Sequence, residues 1–156
     1  MVSLSLSLSL EHFSMFDFLS PAICALICFT LLTAVLAMSY PLQRVFLVLT
    51  GKAPANAWAR NNTTAEVPAW ALRAQHAHLN CLENLPLFAA VVIAAYISDQ
   101  LMLVEGLAMV FLGLRVAQSV VHLISTSAGF VFVRANLWIA QMLILFYWLL
   151  SLCQVI

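Results

Sequence analysis

From Phe18 to Tyr40 no charged residue interrupts the chain, a longer apolar run than the roughly 20 residues a helix needs to cross the hydrocarbon of a bilayer. Few folds are open to such a segment, because in lipid every backbone N–H and C=O must be satisfied within the protein. Three further runs of similar character follow, at about Trp70–Ile97, Leu101–Ile124 and Phe130–Ile156. Composition agrees with this reading. Of the 156 residues, 65% are hydrophobic and 8% charged, too little polar surface to cover a soluble globule of that size. The expectation is an all-α, integral membrane four-helix bundle that forms a single domain over residues 18–156.

The first run continues past Pro41 and Arg44 to Leu49, giving expected helices at about 18–49, 70–97, 101–124 and 130–156. Residues 51–68 gather Gly, Pro, Asn and Thr with Lys52, Arg60 and Glu66, the composition of a connecting loop. Residues 1–17 begin with alternating Ser and Leu, lack the basic start of a secretory signal, and read as a poorly ordered leader. The other two connections, Ser98–Gln100 and Ser125–Gly129, are short, so successive helices are expected to be antiparallel. The long loop and the Ser-Thr-Ser turn then share one side. Lys52, Arg60, Arg73 and Arg134 flank that side, whereas both termini and the Asp99 turn carry no Lys or Arg. The positive-inside rule places the long loop in the cytoplasm and both termini opposite it, in the inner (plasma) membrane if the protein is bacterial. Six basic and six acidic residues leave no basic field for nucleic acid. Cys24, Cys28, Cys81 and Cys153 all lie in apolar runs and read as packing residues, and no metal site is expected.

A charged side chain inside a membrane helix costs about 2.5–3.5 kcal/mol on insertion scales, so its placement carries information. Arg73, His76, Asn80 and Glu83 are spaced 3, 4 and 3 apart on the second helix, which puts them on one face. Arg115, Gln118 and His122 repeat the spacing on the third, and Arg134 lies about one turn into the fourth. Counted at roughly 1.5 Å per residue from the loop side, all of them fall in one half of the bilayer. The other half holds little that ionises except Glu105. This asymmetry implies a cavity open to one side, since a pore needs polar groups at every depth. Glu83 and Arg115 reach similar depth and are expected to pair. Arg73 and Arg134 have no obvious acidic partner and suit an anionic ligand. Blander roles also fit single residues. Arg73 is placed for an interfacial anchor, Asn80 and Gln118 for hydrogen bonds between helices, and the histidines for packing; the convergence of so many costly side chains is what favours a site.

The stretch from Arg73 through His76, Asn80, Glu83 and Pro86 to Phe88 resembles the second-helix signature of the MAPEG family, the membrane-associated proteins in eicosanoid and glutathione metabolism. The loop at 51–68, the Arg115-Val-Ala-Gln118 run and the Val133-Arg134-Ala-Asn-Leu-Trp138 start of the fourth helix agree with it. Resemblance covers about residues 18–155 and is greatest to small bacterial members. It implies a homotrimer with glutathione bound between subunits. It further implies that Asn80 and Glu83 contact the glutathione backbone, that Arg73 or His76 meets a carboxylate, and that Arg134 faces the thiol. A fixed cation beside a thiol favours the thiolate, which is the nucleophile. The chain departs from enzymatic relatives at Gln118 and His122, where they commonly carry His and Tyr, at Ala135, where some carry Ser, and at His76, where Arg is frequent.

Two functions follow from the resemblance. One is a glutathione-dependent transferase or peroxidase acting on hydrophobic electrophiles or lipid hydroperoxides, with Arg134 catalytic. Arg73, His76, Asn80, Glu83, Arg115, Gln118 and His122 then bind glutathione as co-substrate. The alternative is a non-catalytic membrane protein of the same fold that binds or presents a lipid, which the Gln118 and His122 departures favour. A proton-linked transporter built on Glu83 and the histidines is disfavoured by the apolar half.

Overall fold

The computed structural model describes residues 19–59, 62–63 and 66–154; the leader expected at 1–17 lies outside them. Four helices, α1 (Pro21–Leu49), α2 (Ala69–Ile97), α3 (Met102–Ile124) and α4 (Ala128–Leu152), are each long and apolar enough to cross a membrane. The fold is all-α apart from a two-residue antiparallel ladder, β1 (Trp58–Ala59) on β2 (Asn62–Thr63), in the long connection. Strands this short carry no alternation, so nothing in the sequence announces them.

Local chemistry sets the helix ends. Ser20 Oγ accepts the Ile23 N–H at 3.3 Å and Pro21 opens α1, the position where a missing N–H costs nothing. At the other end Gly51 turns left-handed at φ 69°, its N–H reaching Val48 O while Lys52 N–H reaches Leu47 O. Asp99, at φ 57°, closes α2 in the same way, with Gln100 N–H on Ala95 O at 2.8 Å. Apart from its chain neighbours, no described atom lies within 4 Å of where a methyl group at Gly51 would sit, so the cost of a side chain there is backbone strain. Gly51→Ala is expected to lower unfolding stability by about 1 kcal/mol, read from denaturant unfolding in detergent. The fourth helix begins two residues earlier than its apolar run, so Gly129 sits in its first turn rather than in the connection.

The helices meet in an aromatic cluster that takes one residue from each. Phe29, Phe88, Phe111 and Trp148 are all 0% exposed. Phe88 stacks on Phe111 with centroids 4.6 Å apart, Trp148 lies 5.8 and 5.7 Å from the two, and Phe29 lies 6.2 Å from each of them. Ring pairs at these distances add to simple area burial. Helix α1 packs on α2 and α3, and α4 packs mainly on α3. Only Gln141, Leu145 and Trp148 are buried on α4, whose other faces carry exposed apolar residues such as Phe132, Leu143 and Phe146.

The aromatic cluster divides the bundle. On its loop side lie the polar residues of α2 from Arg73 to Asn84, those of α3 from Arg115 to His122, and Arg134 and Gln141 of α4. On the far side the buried set is apolar, with Ala22, Ala25, Val91, Val92, Ala95, Val104 and Ala108. The long connection is tied to the bundle on the polar side. The Arg44 guanidinium lies 5.9 Å from the Tyr40 ring centroid and 5.8 Å from that of Trp58, and Tyr40 Oη lies 3.2 Å from His78 Nδ1 on α2.

Candidate functional site

Helix α2 presents His76, Asn80 and Glu83 at spacings of 4 and 3, so they share one face near its loop-side end. Antiparallel α3 brings His122, one turn beyond Gln118, alongside them, and the first turns of α4 bring Arg134. A cleft of about 450 Å³ lies between the three helices, lined by His76, Asn80, Glu83, His122 and Arg134 with Leu79, Thr126 and Val131. A second recess of about 290 Å³ shares Asn80, Glu83, Val131 and Arg134 with it and adds Gln118, Ala135 and Trp138. Six of the eight residues singled out in the sequence therefore line one continuous polar surface.

Its hydrogen bonding is sparse, which leaves groups for a ligand. Asn80 Nδ2 lies 3.2 Å from His122 Nδ1, so the amide donates and the imidazole nitrogen accepts. The His76 and His122 rings are 6.1 Å apart. Arg134 Nε is buried and has no partner among the described residues. A guanidinium with an open donor next to a cleft of this size is suited to an anion. Among the described residues no cluster of His, Cys, Asp and Glu is arranged to hold a metal.

Two residues lie elsewhere. Arg73 donates from Nε to the Leu123 carbonyl at 2.7 Å, strapping the start of α2 to the end of α3, and it lines neither recess. Arg115 is 1% exposed, its guanidinium 5.3 Å from the Phe29 ring centroid. The expected pairing with Glu83 does not form. Arg115 Nη1 makes one long bond, 3.5 Å, to the Asn80 carbonyl, and Nε and Nη2 have no partner among the described residues. Equal depth along two helices says nothing of azimuth: Glu83 is on the exposed side of α2, whereas Arg115 turns into the bundle core toward α1.

Gln141 is a buried polar neighbour of these residues that the helical spacing of α2 and α3 does not reveal. It is 0% exposed on α4, and its Nε2 donates to Gln118 Oε1 at 3.0 Å and to Leu137 O at 2.9 Å. Its spacing of seven from Arg134, two helical turns, is the signal that locates it. Cys81 Sγ to Ser119 Oγ at 3.6 Å adds a buried α2–α3 contact beside the site, and the cysteines among the described residues are all free.

A bundle of four helices, each long and apolar enough to cross a membrane, with a polar cleft toward the loop end, defines an integral, multi-pass membrane protein. A family model, MAPEG family, matches residues 20–153. The chain belongs to the MAPEG family, whose members have roles in glutathione and eicosanoid metabolism. Neither a curated protein nor a solved structure matches the chain.

Proposed function

We propose that the protein is a membrane-embedded glutathione-dependent transferase or peroxidase acting on hydrophobic electrophiles or lipid hydroperoxides that reach the site from the bilayer. The observation that carries this reading is Arg134, whose unpartnered, buried Nε borders a cleft shared with His76, Asn80, Glu83, Gln118 and His122. Glutathione is a peptide anion at neutral pH. Asn80 and Glu83 would take its amide and ammonium groups, His76 its carboxylate, and Arg134 its sulfur as thiolate. Arg73 and Arg115 act in this reading as supports, one bracing α2 against α3 and the other holding the Asn80 backbone. The cleft opens on the outer side of the protomer, where Glu83 and the apolar faces of α4 are exposed. That placement supports closure of the site by a neighbouring copy in a homotrimer, with the long loop cytoplasmic.

Calorimetry of glutathione on the detergent-purified chain tests the reading. Binding in the micromolar to millimolar range is expected. Asn80→Ala, which removes a donor to the ligand and the contact to His122, should weaken it about tenfold. A folded wild-type protein with no heat of binding would overturn the proposal. One observation favours the non-catalytic alternative: an apolar groove of about 400 Å³ between α2 and α4, lined by Leu87, Ala90, Val91, Met142, Leu145 and Phe146, is suited to an acyl chain. In that case lipid binding persists without glutathione-dependent turnover.

A further inference from the structure

The orientation of the Gln118 carboxamide is fixed by a residue two helical turns from Arg134. Gln141 Nε2 donates to the Leu137 carbonyl, which accepts and cannot donate, so the nitrogen end of Gln141 has to face that way. The same nitrogen meets Gln118 at 3.0 Å, and Gln118 has to answer with its oxygen. Turning either amide over sets carbonyl against oxygen or N–H against N–H. What remains for the recess that Gln118 lines with Asn80, Glu83 and Arg134 is its NH2 group. That nitrogen donates to no described group, and it is not among the fully buried unpartnered atoms, whereas Gln141 Oε1 is. Gln118 thus presents a neutral, two-proton donor beside the guanidinium that has an open N–H.

We propose that Gln141 is a positioning residue that aims the Gln118 N–H groups at an oxygen on which charge develops, and that the site prefers α,β-unsaturated carbonyl acceptors to hydroperoxides. This rests on the glutathione reading above. In conjugate addition the thiolate sulfur forms a bond to the β-carbon, and the alkene electron pair moves through the carbonyl onto its oxygen. The enolate oxygen accepts from Gln118, water then protonates the α-carbon, and the net change is addition of S–H across the double bond. A preorganised donor suffices for that step. In hydroperoxide reduction the sulfur–oxygen bond forms as the O–O bond breaks, and the departing alkoxide, far more basic than an enolate oxygen, takes the electron pair and requires a proton from an acid as it leaves rather than from water afterwards. A carboxamide hydrogen-bonds at neutral pH but has no proton to release. His76 and His122 line the wider cleft but not the recess at Gln118.

The test compares wild type with Gln141→Met, close in volume and unable to orient Gln118, in steady-state turnover of glutathione with a long-chain 2-alkenal and with a lipid hydroperoxide. Turnover of the alkenal should fall about tenfold, with KM for glutathione within about twofold of wild type and hydroperoxide turnover little changed. Equal loss on both substrates, the signature of a merely structural role, would overturn the proposal, as would no loss on the alkenal. If Gln141→Met does not fold, Gln141→Asn is read in the same way. Side-chain amide NMR of glutamine-labelled wild type judges the geometry without turnover: the Gln118 NH2 should exchange with water and shift when glutathione is added, while that of Gln141 is protected. The reverse pattern overturns the orientation. Absence of glutathione binding with the amide pattern as expected would place the failure in the glutathione reading, and the substrate preference would fall with it.

Discussion

Arg134→Ala is expected to lower glutathione conjugation by about 10²–10³-fold while weakening glutathione binding far less. The magnitude is that of removing one preorganised donor from a water-poor site. Arg134 stands one turn and a half into α4, with Nε buried and without a hydrogen-bond partner among the described residues, so at least one of its donors is free for a ligand. Attraction to a thiolate is strongest where the competing water is excluded, and the thiol form gains little from the same cation. Loss should therefore fall on kcat rather than on KM. Arg134→Lys retains the charge but loses the planar fork and should sit between the two. Steady-state kinetics on the purified protein check this, and a rate within threefold of wild type in Arg134→Ala would remove Arg134 from the chemistry.

Phe88→Ala has the largest expected effect on stability, about 3 kcal/mol, the lower end of the range for this change in soluble cores. Phe88 touches the aromatic rings of all three other helices, at 4.6 Å to Phe111, 5.8 Å to Trp148 and 6.2 Å to Phe29. In lipid the transfer part of the usual penalty shrinks, because an unfolded membrane helix still has apolar surroundings. The lost packing does not shrink, and a ring-sized void at the one point where four helices meet has no side chain free to fill it. Leu87, next in sequence but 51% exposed, is the matched control, and Leu87→Ala should change stability by less than about 1 kcal/mol. Denaturation in mixed detergent reads both. Equal losses would mean that the aromatic cluster is not the centre of the bundle.

Four spans were legible because a membrane enforces them: length, absence of charge and the composition of the long connection leave few alternatives. The faces of α2 and α3 were legible for a related reason. His76, Asn80 and Glu83, and separately Gln118 and His122, follow the helical period, and the structure brings them to one cleft with Arg134. What periodicity cannot supply is the rotation of one helix relative to another. Glu83 and Arg115 match in depth yet face different ways, and Arg115 ends over Phe29 rather than against a carboxylate. Arg73 is the opposite case, a side chain at the right end of the right face that is engaged by a carbonyl of the next helix. Gln141 stands alone among apolar neighbours, so no run of polar residues marks it, although its spacing from Arg134 puts it on the same side of α4. The short ladder at Trp58–Thr63 carries too few residues for any pattern to register.

The measurement that tests the central claim most directly is the ultraviolet thiolate absorbance of glutathione added to the purified protein at neutral pH. A site in which Arg134 faces the sulfur should produce a thiolate band that saturates with glutathione and disappears in Arg134→Ala, while Asn80→Ala should require more glutathione to reach the same band. No thiolate at saturating glutathione in folded wild-type protein, or an unchanged band in Arg134→Ala, would contradict the account.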